Sequence, residues 1–97
     1  MKASVSAAAE DELTQAALFY ARQANAELGR ALIAEFERSV DLLRLHPMLG
    51  AKWRGATRRL PLRRFPLSIV YLLHDAELRI VALAHQRRKP GYWRGRS

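Results

Sequence analysis

The stretch that decides the fold is Leu60–Trp93, LPLRRFPLSIVYLLHDAELRIVALAHQRRKPGYW. It contains two apolar runs separated by His74-Asp75-Ala76 and a basic, aromatic end. In the first run Leu67, Ile69, Tyr71 and Leu73 alternate with Ser68, Val70 and Leu72. In the second, Leu78, Ile80, Ala82 and Ala84 alternate with Arg79, Val81, Leu83 and His85. Period-two spacing, β-branched and aromatic enrichment and a length of about eight residues each predict an antiparallel hairpin spanning about Phe65–Ala84. Asp75 is suited to the turn because its short side chain bonds to nearby backbone, although no Asn-Gly or Asp-Gly pair dictates a turn type. Both faces of this hairpin are largely apolar. The chain's own helices can cover one of them. The other is left for a partner, a second copy or the C-terminal tail.

Outward from the hairpin, Lys2–Ser6 reads as a short first strand. Ser6 is a candidate N-cap, with Glu10, Asp11 and Glu12 placed near the positive end of a helix dipole. Leu13, Ala16, Ala17, Tyr20 and Ala24 then follow helical spacing over Ala7 to about Ala24. Asn25 recaps the chain. A second helix from about Ala26 to Leu45 puts Ile33, Phe36, Val40 and Leu43 on its apolar stripe, with Glu35, Glu37, Arg38 and Asp41 mostly outside it. His46-Pro47 ends that helix, because the residue before proline is pushed out of helical geometry. Pro47 to Gly55 reads as a loop containing Trp53, a packing or interface residue. Arg58–Leu62 reads as a short strand whose Pro61 lacks a ladder donor and so favours an edge. The whole is one α+β domain over residues 1–97, in the order βααβββ, with a helical hairpin packed on an antiparallel sheet.

Composition narrows the function. Hydrophobic residues make up 49% and charged residues 27%, which fits a folded domain and not a disordered one. There is no cysteine, so disulfide and thiolate chemistry are excluded. No apolar run reaches the roughly 20 residues of a membrane span and no signal-peptide core precedes the domain, so a cytoplasmic protein is expected. The net charge of +8 is unevenly placed: residues 1–46 carry five Lys/Arg against seven Asp/Glu, and residues 47–97 carry twelve against two. A back half of net +10 beside a front half of −2 predicts a cationic face meeting nucleic acid, an acidic protein or a membrane surface. The two acidic residues of the back half, Asp75 and Glu77, belong to the hairpin turn, so no carboxylate pair is expected near the basic tail. His46 and His74 have no ligand-like spacing, so neither a metal nor a cofactor is expected. A recognition helix for DNA is not expected either, since both helices lie in the acidic half.

Arg58-Arg59, Phe65-Pro66, the Tyr71 strand and His85-Gln-Arg-Arg-Lys-Pro-Gly-Tyr-Trp-Arg closely resemble the ParE branch of the RelE/ParE toxin superfamily. The helical half agrees in Ala9, Asp11-x-Leu13, Phe19-Tyr20, Phe36, Leu43, Pro47 and Gly50. The resemblance implies the toxin of a type II toxin–antitoxin pair, with a cognate acidic antitoxin as partner. ParE-like members are associated with poisoning DNA gyrase, and RelE-like members with cutting mRNA on the ribosome.

On the gyrase reading the protein binds and does no chemistry. Target contacts are then expected from Arg87, Arg88, Lys89, Tyr92 and Trp93, since guanidinium and aromatic planes suit phosphates and bases. The antitoxin is expected over the open sheet face, with Arg58, Arg59, Tyr71 and Arg79 as contacts. On the nuclease reading the resemblance carries the chemistry to Arg59, His85, Arg88 and Tyr92, which would activate the 2′-hydroxyl and stabilise charge at the phosphate. Arginines stand in the sheet and its preceding loop where lysines are typical of the nucleases, which favours binding. His85 has two readings, a general base, since the unperturbed pKa of histidine lies near neutrality, or a residue donating a hydrogen bond that stabilises the tail. Tyr92 and Trp93 also have two, since Pro90-Gly91 can turn the tail back and dock their rings.

Overall fold

The computed structural model describes residues 1–87 and 91–96. Its elements are β1 (Lys2–Val5), α1 (Ala7–Gln23), α2 (Ala26–Leu45), β2 (Ala51–Lys52), β3 (Thr57–Pro61), β4 (Leu67–His74) and β5 (Glu77–His85). They form one five-stranded sheet in the order β1-β5-β4-β3-β2, with both helices on one face. β4 and β5 make the expected antiparallel hairpin around Asp75 and Ala76. Asp75 sits at φ 53°, a left-handed position that aspartate tolerates through local hydrogen bonding.

Both helices begin where their caps indicate. The Ser6 hydroxyl accepts the Ala9 N–H at 3.1 Å, and the Asn25 side chain accepts the Leu28 N–H at 2.8 Å. Each satisfies a donor that the first helical turn would otherwise leave unpaired. The helices approach closely at Gly29, where an added Cβ would stand 2.6 Å from the Ala17 carbonyl oxygen. Leu32, Phe36 and Leu43 of α2 join Leu67, Ile69, Tyr71, Leu78 and Ile80 in the main core. Tyr20 packs there edge-on to Phe65, with ring centroids 5.0 Å apart.

Four sequence expectations are corrected. The sheet is mixed, because β1 runs parallel to β5, Lys2 opposite Glu77 and Val5 opposite Ile80. Four residues of an edge strand carry no directional information of their own. Ala51–Lys52, read as loop, is a two-residue strand paired with Arg58 and Arg59. Pro61 lies beyond its reach, so β3 is interior at one end and an edge at the other. On α2, Ile33 is 38% exposed while Leu32 and Glu35 are buried, so the apolar stripe is rotated. Glu35 faces inward because its carboxylate accepts the Arg63 N–H from the loop after β3.

The fourth correction concerns β5. Val70 pairs with Ala82 and Tyr71 with Ile80, which leaves Val81 as an extra, unpaired residue. Such a bulge breaks strict alternation. Leu78 and Ile80 face the helices, Val81, Ala82 and Ala84 the opposite side, and Leu83 the helices again. A second core therefore forms on the far face, where Val70, Val81, Ala82 and Ala84 are covered by Trp93, with Trp53, Leu72 and Tyr92 at its margin. The tail docks on part of the face that the sequence left open.

Candidate functional site

Tyr71 is a scaffold residue. It is fully buried, its hydroxyl donates to the Pro47 carbonyl at 2.7 Å and it accepts the Gly50 N–H at 2.9 Å. Arg58 reinforces this loop, donating to the Gly50 carbonyl at 2.7 Å and the Met48 carbonyl at 3.3 Å. Burial raises the Tyr71 phenol above its ordinary range, against the lowering effects of the Gly50 N–H and the Arg58 charge. Tyr71, expected as an antitoxin contact, therefore lies inside the fold, with no atom reaching the surface. Period-two spacing put it on a face but did not say which face the helices cover.

Arg59 and Arg79 are on the far side of the sheet. The Arg59 guanidinium stacks on Trp53, 3.8 Å from the ring centroid, and Arg54 approaches the same indole at 5.6 Å. Cation–π pairing of this kind orders arginines that solvent would otherwise leave mobile. Arg79 donates to the Ser4 hydroxyl at 3.3 Å, and that hydroxyl donates to Glu77 at 2.7 Å. Its Nε is buried without a partner. Arg79 lies beside Leu72 and Ala56 in a cleft of about 500 Å³ that ends at the hairpin turn. This is the part of the far face that the tail does not cover.

The tail end is built around a residue the sequence reading assigned only to the helix dipole. Glu12 projects from α1 and accepts the Tyr92 hydroxyl at 2.8 Å, Arg96 at 3.0 Å and the Leu83 N–H at 3.1 Å. A carboxylate does reach the basic tail, then, from the acidic half of the chain. Its position in the second turn of α1 was the only available signal, because a dipole partner belongs in the first turn. The Arg96 guanidinium lies 5.1 Å from the Tyr92 ring centroid and also donates to the Val81 carbonyl at 3.0 Å. Trp93, expected as a target contact, is 5% exposed and its indole packs in the far-face core. Arg87, Gln86 and Arg94 are exposed. Arg88 and Lys89 lie outside the described residues.

The His85 ring nitrogen Nδ1 accepts the Arg87 N–H at 3.0 Å, fixing the start of the tail. His85 is expected from the sequence to donate to the tail, and here the ring nitrogen accepts from it instead. Of the residues proposed for RNA cleavage, Arg59 and Tyr92 are held by different partners, Trp53 and Glu12. Arg59 is opposite Val70, itself opposite Ala82, so it lies two strands, about 10 Å, from β5. Tyr92 is tied to Glu12. His85 borders a cleft with Tyr92 and a different one with Arg59. Among the described residues no group of three His, Asp or Glu could hold a metal ion. No helix of the described residues is long and apolar enough to cross a membrane.

The chain is thus a small α+β domain with two helices on one sheet face and a tail docked on the other. The family model described as "ParE toxin of type II toxin-antitoxin system, parDE" matches residues 4–90, and the chain belongs to that family. A solved structure titled "Chromosomal ParDE TA system from P. aeruginosa" shares the fold, with a TM-score of 0.80 and 18% identity, over 88% of this chain and 95% of that one. No curated protein sequence matches the chain significantly.

Proposed function

We propose that this ParE toxin inhibits growth by binding DNA gyrase through its tail end, without chemistry of its own, and that an acidic antitoxin neutralises it. The observation that carries the binding mode is the separation of the cleavage candidates, with Arg59 held on Trp53 and the Tyr92 hydroxyl held by Glu12. Metal-free RNA cleavage needs a base, a phosphate stabiliser and an acid around one phosphate. Family membership supports gyrase as the target. Exposed Arg87 and Arg94 are the contacts this reading favours among the described residues, in place of Trp93.

The antitoxin reading rests on the uncovered end of the far face. Leu72 supplies apolar area there, and Arg79, with Arg59 further along the face, supplies positive charge for acidic side chains. Arg58 is spent on the Met48–Gly50 loop.

The deciding experiment runs gyrase supercoiling and ribosome-dependent mRNA cleavage on the same purified protein. Inhibited supercoiling with intact mRNA is expected. Cleaved mRNA that disappears in Tyr92→Phe would transfer the protein to the nucleases. Binding to the acidic product of the neighbouring reading frame should weaken with added salt, and salt-independent binding would count against the charge-steered contact.

A further inference from the structure

β1 accompanies β5 only as far as Ile80, so the outer edge of β5 continues without a strand beside it. An unpaired edge leaves backbone donors and acceptors in need of partners. Side chains from the two ends of the sequence take the place of the missing strand. The Val81 carbonyl accepts Ser6 Oγ at 3.3 Å and Arg96 at 3.0 Å, and the Leu83 N–H donates to Glu12 at 3.1 Å. Glu12 also receives the Tyr92 hydroxyl and Arg96. Three donors, one from β5 and two from the tail, thus converge on one carboxylate whose side chain is 18% exposed, paired with an Arg96 side chain 26% exposed. Charge-assisted bonds in such partly desolvated settings are stronger than exposed surface pairs.

We propose that Glu12 is the positioning residue of the toxin's tail: its carboxylate clamps Tyr92 and Arg96 to the free edge of β5 and thereby holds the target-binding end in place. The inference rests on the reading that this end meets the target. Glu12 acts through the tail, since three of its roughly four acceptor positions are taken by Leu83, Tyr92 and Arg96. Charge complementarity with the tail, and not the helix dipole, is what its position serves. Glutamine keeps the shape and loses the charge. Its pairing with Arg96 is weaker, and its amide nitrogen fits only if the Tyr92 hydroxyl turns round to accept.

The test uses the full chain carrying Glu12→Gln, with Arg96→Gln as a second variant that breaks the same clamp and leaves α1 and the Glu12–Leu83 bond intact. Amide exchange at Arg94 and Arg96, whose N–H groups bond to Gly91 and Trp93, should accelerate roughly tenfold or more in both variants, the scale of a lost charged hydrogen bond. Amides of β4 should keep their protection, which a general loss of structure would not allow. Growth inhibition on induction should fall in parallel. Unchanged exchange at Arg94 and Arg96 in both variants overturns the clamp alone. Faster tail exchange with full growth inhibition overturns the positioning role together with the reading that the tail meets the target.

Discussion

Replacing Tyr71 by phenylalanine removes one oxygen from the centre of the molecule and tests whether that oxygen holds the α2–β2 loop to the sheet. The hydroxyl donates to the Pro47 carbonyl and accepts the Gly50 N–H. Each bond contributes about 1 kcal/mol net, and a buried N–H left without an acceptor costs about 1–3 kcal/mol more. Packing of the ring survives, so a loss of about 3–5 kcal/mol is expected for the variant. At about 4–8 °C per kcal/mol for a domain of this size, the melting temperature should fall by at least about 12 °C. Urea and thermal unfolding measure it. A fall under about 4 °C, the equivalent of less than 1 kcal/mol, would refute the buttress.

The same variant has a pH signature. Burial raises the Tyr71 phenol, so the unfolded chain ionises first as pH climbs. The stability Tyr71 contributes is complete below roughly pH 10, the unfolded value, and is lost as pH rises through the folded value. The gap between the parent and Tyr71→Phe should therefore narrow above roughly pH 10. A gap that widens there would contradict the direction of the shift.

Gly29→Ala should destabilise by about 1–3 kcal/mol through overpacking against the Ala17 carbonyl, although helix propensity alone would stabilise by about 1 kcal/mol. A raised urea midpoint would show that the helices separate freely. Trp93→Ala uncovers Val70, Val81, Ala82 and Ala84 and should cost about 3 kcal/mol. An unchanged urea midpoint would mean that the tail does not cover this face in solution. Arg87→Ala combined with Arg94→Ala should weaken gyrase inhibition about tenfold or more while leaving the urea midpoint in place, since both side chains are exposed. Full inhibition by the double variant would move the contact elsewhere.

The elements of this fold were legible because their signals are local. Ser6 and Asn25 cap their own helices, Pro47 follows the end of α2, and alternation over Leu67–Leu73 marks a strand without reference to its neighbours. What was not legible depends on pairs far apart in the chain. Glu35 is buried for a backbone donor at Arg63, and Glu12 meets a tail some eighty residues away. Charge counting by halves concealed the second of these, because it kept the acidic helix and the basic tail in separate accounts. The aromatic tail had two readings. Its composition suits a binding surface and a docked lid equally, and only the cluster around Trp93 separates them, giving Trp93 to the core and leaving the exposed arginines to the surface.

The extra residue at Val81 fixes the reading frame of β5. Before it, odd-numbered Arg79 belongs to the far face and even-numbered Ile80 to the helices. After it, odd-numbered Leu83 belongs to the helices and even-numbered Ala84 to the far face. Deleting Val81 itself would restore strict alternation and leave Ile80 and Leu83 under the helices and Ala82 and Ala84 on the far face. Deleting Arg79 instead would bring Leu78 next to Ile80 and force one flank of the strand through the sheet. Tolerance to length change in this protein is thus expected in the Arg54–Ala56 turn and, within the nine residues of β5, at the bulge.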